Sequence, residues 1–455
     1  MRSAGTALIQ PRVIRGFLLL LLSLSTAYAD DWPQWLGPKR DGIWRETGIL
    51  QKFPAKGPKV RWRTPIGAGY SGPAVAGNYV FIMDRKLTPR GTNSANPFDK
   101  RSIPGVERII CLSEKEGKIQ WDHTYDCPYN VSYPAGPRAT PVVSDGKLYT
   151  LGTEGHLFCF EAATGKKIWS RQFKEDFGIE TPLWGFAAHP LLDGNKLICM
   201  VGGKGSVVVA FNKKNGKELW RALTAKEPGY CPPMIYTAGG KRQLIIWHPE
   251  SVNALDPETG QLFWTVPFAV RSGLSVPTPR QQDDRLFITC FYNGSLMLRL
   301  TADQPAVTEL WRRAGKNERN TEALQSIMST PFFESEYVYG VCSYGQLRCI
   351  KASNGDRVWE TFAATTGGKE ERWANAFLVK QADRYFLANE KGDLIIAQLT
   401  PDGYHEISRA HLLEPTNTMP GREVVWSHPA FANKCVYARN DKEIVCVSLA
   451  AEQGR

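Results

Sequence analysis

Beyond its first thirty residues the sequence has no long apolar run. No later stretch approaches the roughly 20 apolar residues that a membrane-spanning helix needs, which excludes a polytopic membrane protein. High net charge with few apolar residues, the signature of a disordered chain, is also absent, because 42% of the residues are hydrophobic and 22% are charged. What remains is a globular protein of 455 residues, long enough to bury a large core.

The first 29 residues have the features of a secretory signal peptide. They comprise a positive n-region with Arg2, Arg12 and Arg15, an apolar stretch over residues 16–24, and a small-x-small cleavage site at Ala27-Tyr28-Ala29. The expected mature chain starts at Asp30, is periplasmic or secreted, and keeps no transmembrane segment. Loss of three arginines lowers the net charge from +11 to +8. A positive excess of this size, spread over the whole chain, favours solubility and does not indicate a nucleic-acid-binding patch.

An internal repeat runs through the rest of the chain. A Gly precedes a Trp by four residues in Gly117/Trp121, Gly165/Trp169, Gly216/Trp220, Gly260/Trp264 and Gly355/Trp359. Trp311 keeps the Trp alone, and Gly403/Ile407 keeps the spacing with Ile in place of Trp. From Trp121 to Ile407 the intervals are 48, 51, 44, 47, 48 and 48 residues. A period of about 40–50 residues is typical of β-propeller blades.

Each unit contains four short apolar runs separated by Asp-Gly, Asn-Gly or Thr-Gly turns, which predicts a four-stranded antiparallel meander. First-strand positions mark eight units at Pro73, Pro141, Pro190, Pro233, Pro279, Pro331, Ala376 and Pro429. The eighth unit, from Val424 to Leu449, supplies only three strands. Residues 59–64, which include Trp62, are predicted to add the fourth and close the ring. The expected organisation is an all-β, eight-bladed propeller over residues 59–455, preceded by a lead-in segment over residues 30–58.

Three segments resemble a known family. Residues 160–169 (FEAATGKKIW) and 255–264 (LDPETGQLFW) look like the repeat of the quinoprotein, or PQQ-like, propellers. Residues 31–42 (DWPQWLGPKRDG) resemble the opening of exported bacterial proteins with such repeats. The resemblance implies the propeller fold but not one activity. The family includes alcohol and sugar dehydrogenases that use PQQ with Ca²⁺, and a non-catalytic scaffold of the outer-membrane β-barrel assembly machinery.

The ten cysteines do not suggest a disulfide framework. No Cys-Cys pair, C-x-x-C or zinc-type Cys/His spacing occurs. Six residues before the turn Gly, the repeat carries Cys or Ala, so that Cys in this position is expected to pack as a small apolar residue. Only Cys127 and Cys231 fall in loops, where a disulfide or ligand role stays open.

The site is expected on the face that carries the long loops. These loops are residues 125–137, 314–325, 363–371 and 411–423, together with an insertion at 85–106. Two tiers should line the channel mouth, one and three positions before each first-strand Pro slot. The candidate ligand-binding residues are Tyr70, Arg138, Thr140, His189, Tyr230, Trp373, Asn375, Trp426 and His428. Blade order puts His189 across the ring from His428, which argues against a two-histidine metal site.

Two classes of function follow. The first is an exported binding or scaffold module that takes a protein or glycan ligand on the long-loop face, without nucleic acid and as a monomer. The alternative is a PQQ-dependent oxidoreductase of alcohols or sugars. It requires Ca²⁺ held by oxygen ligands, yet no position in either tier is Asp or Glu. Glycan hydrolysis would need paired carboxylates. The acidic residues in the loops are expected to be solvent-exposed surface charges; they are Asp176, Glu180, Glu370 and Glu371. We therefore predict binding, with no catalytic residue assigned.

Overall fold

The computed structural model describes residue 1 and residues 31–451, so the predicted signal peptide lies outside the described residues. Eight four-stranded antiparallel sheets form the blades of a propeller, as the repeat predicts. A two-stranded hairpin, β30 (Asn417–Met419) with β31 (Arg422–Val424), is added between the seventh and eighth blades. In the part of the chain that is described, no helix combines the length and apolar character needed to cross a membrane.

The strands, in chain order, are β1 (Val60–Pro65), β2 (Ala74–Ala76), β3 (Tyr79–Leu87), β4 (Gly105–Ser113), β5 (Ile119–Asp126), β6 (Val142–Ser144), β7 (Lys147–Leu151), β8 (His156–Glu161), β9 (Lys167–Gln172), β10 (Leu191–Asp193), β11 (Lys196–Met200), β12 (Val208–Asn212), β13 (Glu218–Ala222), β14 (Met234–Ala238), β15 (Lys241–His248), β16 (Ser251–Leu255), β17 (Leu262–Pro267), β18 (Arg280–Gln282), β19 (Arg285–Cys290), β20 (Gly294–Leu300), β21 (Val307–Arg313), β22 (Phe332–Glu334), β23 (Tyr337–Val341), β24 (Leu347–Lys351), β25 (Arg357–Thr361), β26 (Ala376–Gln381), β27 (Arg384–Asn389), β28 (Asp393–Thr400), β29 (Gly403–His411), β30 (Asn417–Met419), β31 (Arg422–Val424), β32 (Ala430–Ala432), β33 (Cys435–Arg439) and β34 (Glu443–Ser448). A short helix, α1 (Phe173–Phe177), and a 3₁₀ turn (Arg271–Gly273) complete the elements.

The ring closes as predicted. The last blade has the order β1-β34-β33-β32, so the N-terminal strand is its outermost member. The lead-in segment also meets the end of the eighth blade, because the Leu50 amide donates to the Leu449 carbonyl at 2.9 Å. One boundary differs from the prediction: Val424 ends the extra hairpin β30–β31, and the eighth blade begins at β32.

The Gly–Trp repeat joins each blade to the next. In the first blade Trp121 lies opposite Cys111, next to a bulge in the β4–β5 ladder. Its ring covers Gly165 of the second blade, where an added Cβ would lie 2.6 Å from the indole. Its Nε1–H donates to the Ala162 carbonyl at 3.0 Å. Glycine is therefore required at position 165 for two reasons, because the Trp121 indole leaves no room for a Cβ and because the backbone has a left-handed φ of 71°.

The small residue of the third strand has a packing role. Cys111, Cys159, Cys349 and Cys446 each lie opposite a Trp of the outer strand, and Ala210 and Ala254 do the same in other blades. This confirms the predicted Cys/Ala exchange. All ten cysteines are buried free thiols, including Cys127 and Cys231 in the loops. The structure therefore does not support a disulfide at either loop position.

The seam between the seventh and eighth blades is built differently. Ile407, in the Trp position, is 41% exposed, and the lead-in segment supplies the missing aromatic packing. Trp44 contacts Phe386 of the seventh blade and Phe431 of the eighth, with ring centroids 5.4 and 5.1 Å apart. The lead-in segment is thus an integral part of the fold.

Candidate functional site

The lead-in segment closes one end of the central channel. It hydrogen-bonds to the inner strands of three blades, through Trp32 with Val75, Pro33 with Val143 and Trp44 with Lys380. These inner strands run away from the long-loop face, so the segment crosses the opposite face. The repeat pattern does not predict this role, because the segment lies outside every repeat unit.

Trp35 forms the floor of the channel. Its indole stacks on His189, with centroids 4.3 Å apart and planes 14° apart, and meets His428 edge-on, also at 4.3 Å. The Nε1–H donates to Thr278 Oγ1 at 3.1 Å. Since the ring contacts residues from three blades around the channel, it leaves a cup that opens only towards the long loops.

A buried arginine reinforces the floor. Arg40 is 4% exposed and donates to the carbonyls of Pro190 at 2.9 Å and Pro233 at 3.2 Å, with a longer bond to His189. Burial lowers the pKa of its guanidinium to about 10, so it stays protonated at neutral pH. The cation links two neighbouring first strands to the lead-in segment.

The two channel histidines correct one expectation. Their ring centroids are 5.5 Å apart, because the channel is narrow at this level and the third and eighth blades converge on Trp35. His189 does lie on the third blade and His428 on the eighth, as predicted, but this blade order does not keep the two rings apart. Thr140 sits between them: its amide donates to His189 Nδ1 at 2.8 Å, and its hydroxyl lies 2.7 Å from His428 Nε2.

Both histidines are neutral at pH 7. Burial lowers the pKa of His428 to about 3, and burial together with His428 and Arg40 lowers the pKa of His189 well below its ordinary value. Because His189 Nδ1 accepts a hydrogen bond, its proton resides on Nε2. The floor is therefore a neutral aromatic surface with no acidic group.

Above the floor lies a cavity of about 410 Å³, within the usual range for a small-molecule site. All eight residues of the tier three positions before the Pro slot line it: Tyr70, Arg138, Ala187, Tyr230, Val276, Met328, Trp373 and Trp426. Of the lower tier, His189, Pro232 and His428 contribute to the lining. Thr140 and Asn375 are buried behind it, so seven of the nine candidate residues face one cup.

The long loops add further aromatic walls. Phe98, from the insertion of the first blade, lies 5.1 Å from Tyr133 and 5.8 Å from Trp373, which brings the first and seventh blades together across the mouth. Trp184, Phe291, Tyr292 and Phe377 also line the cup. The insertion itself spans residues 88–104, because β3 and β4 extend further than the sequence indicated.

Backbone strain accompanies three of these aromatic residues. Tyr133, Tyr292 and Trp373 have φ values of 54°, 69° and 63°, in the left-handed region that favours glycine. Hydrogen bonds fix two of them, from the Trp373 amide to the Ser343 carbonyl at 2.7 Å and from the Tyr133 amide to the Pro97 carbonyl at 2.6 Å. Strained backbone of this kind concentrates where a side chain must be aimed.

Arg138 is the one charged side chain among the residues that line the cup, since both lining histidines are neutral. Its guanidinium carbon lies 5.1 Å from the centre of the Tyr70 ring. Its Nη atoms donate to the carbonyls of Gly136, Ser132 and Tyr133. The lining contains no carboxylate.

A family model described as outer membrane protein assembly factor BamB matches residues 105–361 and, in an overlapping second match, residues 248–455. The chain belongs to this PQQ-like repeat family. Among curated relatives, the propeller is 29% identical over 143 residues to quinoprotein alcohol dehydrogenase PedH of Pseudomonas putida, covering 29% of this chain and 23% of PedH. It is 25% identical over 239 residues to BamB of Burkholderia pseudomallei, covering 50% and 56% of the two chains.

The matched regions span about a quarter of the dehydrogenase and about half of BamB. Solved structures support the PQQ-like propeller fold over most of the chain. BamB from Moraxella catarrhalis superposes with a TM-score of 0.51 at 16% identity, over 82% of this chain and 99% of that one. Quinohemoprotein alcohol dehydrogenase from Comamonas testosteroni gives 0.60 at 11% identity, over 93% and 81%. At these identities the likeness concerns the fold alone.

The cup of this PQQ-like propeller does not fit PQQ with Ca²⁺. Calcium takes six to eight oxygen ligands, mostly carboxylates and carbonyls, and no Asp or Glu lines the cup. Asn375, a candidate residue whose side chain has a carbonyl oxygen, is buried outside the lining. Within residues 31–451, no cluster of three His, Cys, Asp or Glu side chains could hold a metal ion. PQQ is also a tricarboxylate, whereas Arg138 is the only cation in the lining.

Several lining residues were missed by sequence reasoning. Trp35, Phe98 and Tyr133 lie outside the two tiers, in the lead-in segment and in loops whose paths the repeat does not specify. A signal for Trp35 was present, because residues 32–44 contain three Trp outside any repeat unit. For Phe98 there was no comparable signal, since its position depends on the course of the insertion.

Proposed function

We propose that this protein is an exported binding module that holds an apolar, aromatic group of its ligand in the cup on the long-loop face. The observation that carries this proposal is a blind cavity of about 410 Å³ with aromatic walls and no lining carboxylate. Such a lining offers large rigid contact area, and it contains no carboxylate that could act as a general acid or base. The nine residues named from the sequence remain its candidate contacts.

The strained aromatic residues support a role in binding. Tyr133, Tyr292 and Trp373 adopt unfavourable backbone conformations, and each places an aromatic ring in the wall. Packing alone would not require this cost, because glycine at these positions would relieve it. Phe98 is 44% exposed although it contacts two of these aromatic walls. An apolar ligand would cover its free surface.

The family model supports a scaffold role. BamB is named as an outer membrane protein assembly factor, and it matches about half of this chain, as does one quinohemoprotein alcohol dehydrogenase. By this likeness we propose that the bound group belongs to a protein ligand or to a small molecule that such a protein senses. Export rests on the N-terminal sequence and remains part of the proposal.

Titration with N-phenyl-1-naphthylamine, an uncharged aromatic dye that fluoresces in apolar surroundings, tests the proposal. We expect saturable binding, weakened about tenfold or more by Trp373→Ala, because truncating a central aromatic contact typically costs over 1 kcal/mol. Trp359→Ala is the matched control. It removes an indole from the outer strand β25, away from the cup, and should leave the dye affinity within twofold.

Two results would overturn the proposal. The first is equal dye affinity in the wild type and both tryptophan variants, which would place binding elsewhere. The second is saturable, Ca²⁺-dependent binding of PQQ together with dye-linked oxidation of an alcohol or sugar, which would establish the oxidoreductase alternative. Circular dichroism melts of each variant separate loss of binding from loss of folding.

A further inference from the structure

The cup contains one positive charge that no carboxylate balances. Arg138 is half-buried in the wall, and among the described residues no Asp or Glu oxygen lies within 4.0 Å of its guanidinium. An arginine has five N–H donors, of which three serve the carbonyls of Gly136, Ser132 and Tyr133. Two donors are left without a hydrogen-bond partner in the described structure.

Other arginines near the mouth are paired. Arg372 lies 4.5 Å from the Trp373 ring and bonds to Glu318 at 2.9 Å. Arg422 bonds to Glu390 at 2.9 Å. Arg372 belongs to a loop and Arg422 to the hairpin β30–β31, and neither lines the cup. The contrast shows that carboxylates are available on this face, and that the wall around Arg138 lacks one.

An uncompensated cation in an apolar cavity attracts an anion more strongly than the same cation in water, because less solvent screens the charge. The carbonyls that hold Arg138 also fix its orientation, so binding an anion costs little side-chain entropy. We propose that the ligand group in the cup is an apolar aromatic body that carries one carboxylate, and that Arg138 is the residue selecting it. This inference rests on the proposed function of the cup.

The side-chain chemistry of the lining limits the ligand to one anionic group. Every other lining side chain is apolar, aromatic, hydroxylic or a neutral histidine, so a second or third carboxylate would be desolvated without a partner. A single carboxylate can come from a small aromatic acid or from the C-terminal aromatic residue of a polypeptide. Both sources present the same chemistry to Arg138.

The test compares 2-naphthoate with 2-naphthamide, which share one ring system and differ in charge. Calorimetric titration of the mature protein should show naphthoate binding about ten- to a hundredfold more tightly, the range expected for a charge-assisted hydrogen bond. Arg138→Gln should remove this difference, while Arg138→Lys should keep part of it. Tripeptides ending in Phe, with free or amidated C-termini, distinguish a chain terminus from a free acid.

Arg271 provides the matched control. It is an exposed arginine at the rim, 4.7 Å from the Tyr292 ring, and it does not line the cup. Arg271→Gln should change the naphthoate affinity less than twofold at physiological ionic strength, because exposed charges are screened. If the wild type binds acid and amide equally, or if Arg138→Gln keeps the preference, the inference is wrong. The proposed function would still stand in either case, provided that N-phenyl-1-naphthylamine binds in the cup.

Discussion

The two ends of the central channel are lined by similar residue types in very different states. At the floor, Trp35, His189 and His428 are less than 9% exposed, and their polar atoms bond to Thr278 and Thr140. At the mouth, the aromatic side chains of Phe98, Tyr133 and Trp373 are partly exposed and meet mainly one another. Buried aromatic residues that bond to neighbouring blades hold the fold together, whereas those with exposed surface are available to a ligand.

The largest expected effect comes from removing the floor. Trp35→Ala deletes a buried indole that touches three blades and should lower the free energy of unfolding by about 3–5 kcal/mol. Trp426→Ala removes a half-buried indole from the mouth and should cost less than about 2 kcal/mol. Urea unfolding followed by far-ultraviolet circular dichroism measures both. Equal losses of unfolding free energy in the two variants would mean that the floor and the mouth contribute equally to stability.

The floor should also make stability depend on pH. Burial lowers the pKa of His428 to about 3 and that of His189 well below its ordinary value. Below about pH 6.5 the unfolded chain therefore takes up protons that the folded chain does not, so stability is highest above this pH and falls towards pH 3. Each histidine should lower the free energy of unfolding by about 1.4 kcal/mol as the pH falls from 7.5 to 5.5.

Unfolding free energies at these two pH values, for the wild type and His428→Gln, measure this contribution. The variant should lose about half of the dependence assigned to the pair. His405→Gln, on the exposed outer strand β29, should leave the wild-type dependence in place. An unchanged slope in His428→Gln would mean that the floor histidines do not govern the acid sensitivity.

The smallest effect on stability is expected at the mouth itself. Phe98→Ala removes a ring that is 44% exposed and should lower the free energy of unfolding by less than about 1 kcal/mol. The same change should weaken N-phenyl-1-naphthylamine binding several-fold, because Phe98 bridges Tyr133 and Trp373. Leu87→Ala, at the end of β3 and 43% exposed, is the matched control, with no expected effect on the dye. A large loss of stability with normal dye binding would assign Phe98 to the fold.

The sequence allowed the ring and its upper tier to be predicted because both follow from a repeat. Once the Pro slots were placed, the pleat of each first strand set which residues face the channel, and all eight residues three positions before the slot line the cup. Non-repeating parts escaped prediction. The distance between His189 and His428 depends on the channel width, and the roles of Trp35 and Phe98 depend on the paths of the lead-in segment and the insertion.

The closing of the ring by β1 has a consequence for the order of folding. Leu50 and β1 come early in the chain, yet they pair with the last blade, as in Trp62–Cys446 and Leu50–Leu449. Contacts so distant in sequence form late, because most of the chain must already be ordered. β1 is thus expected to dock after the blades that follow it in the chain, and the ring of a nascent chain stays open until β34 is synthesised.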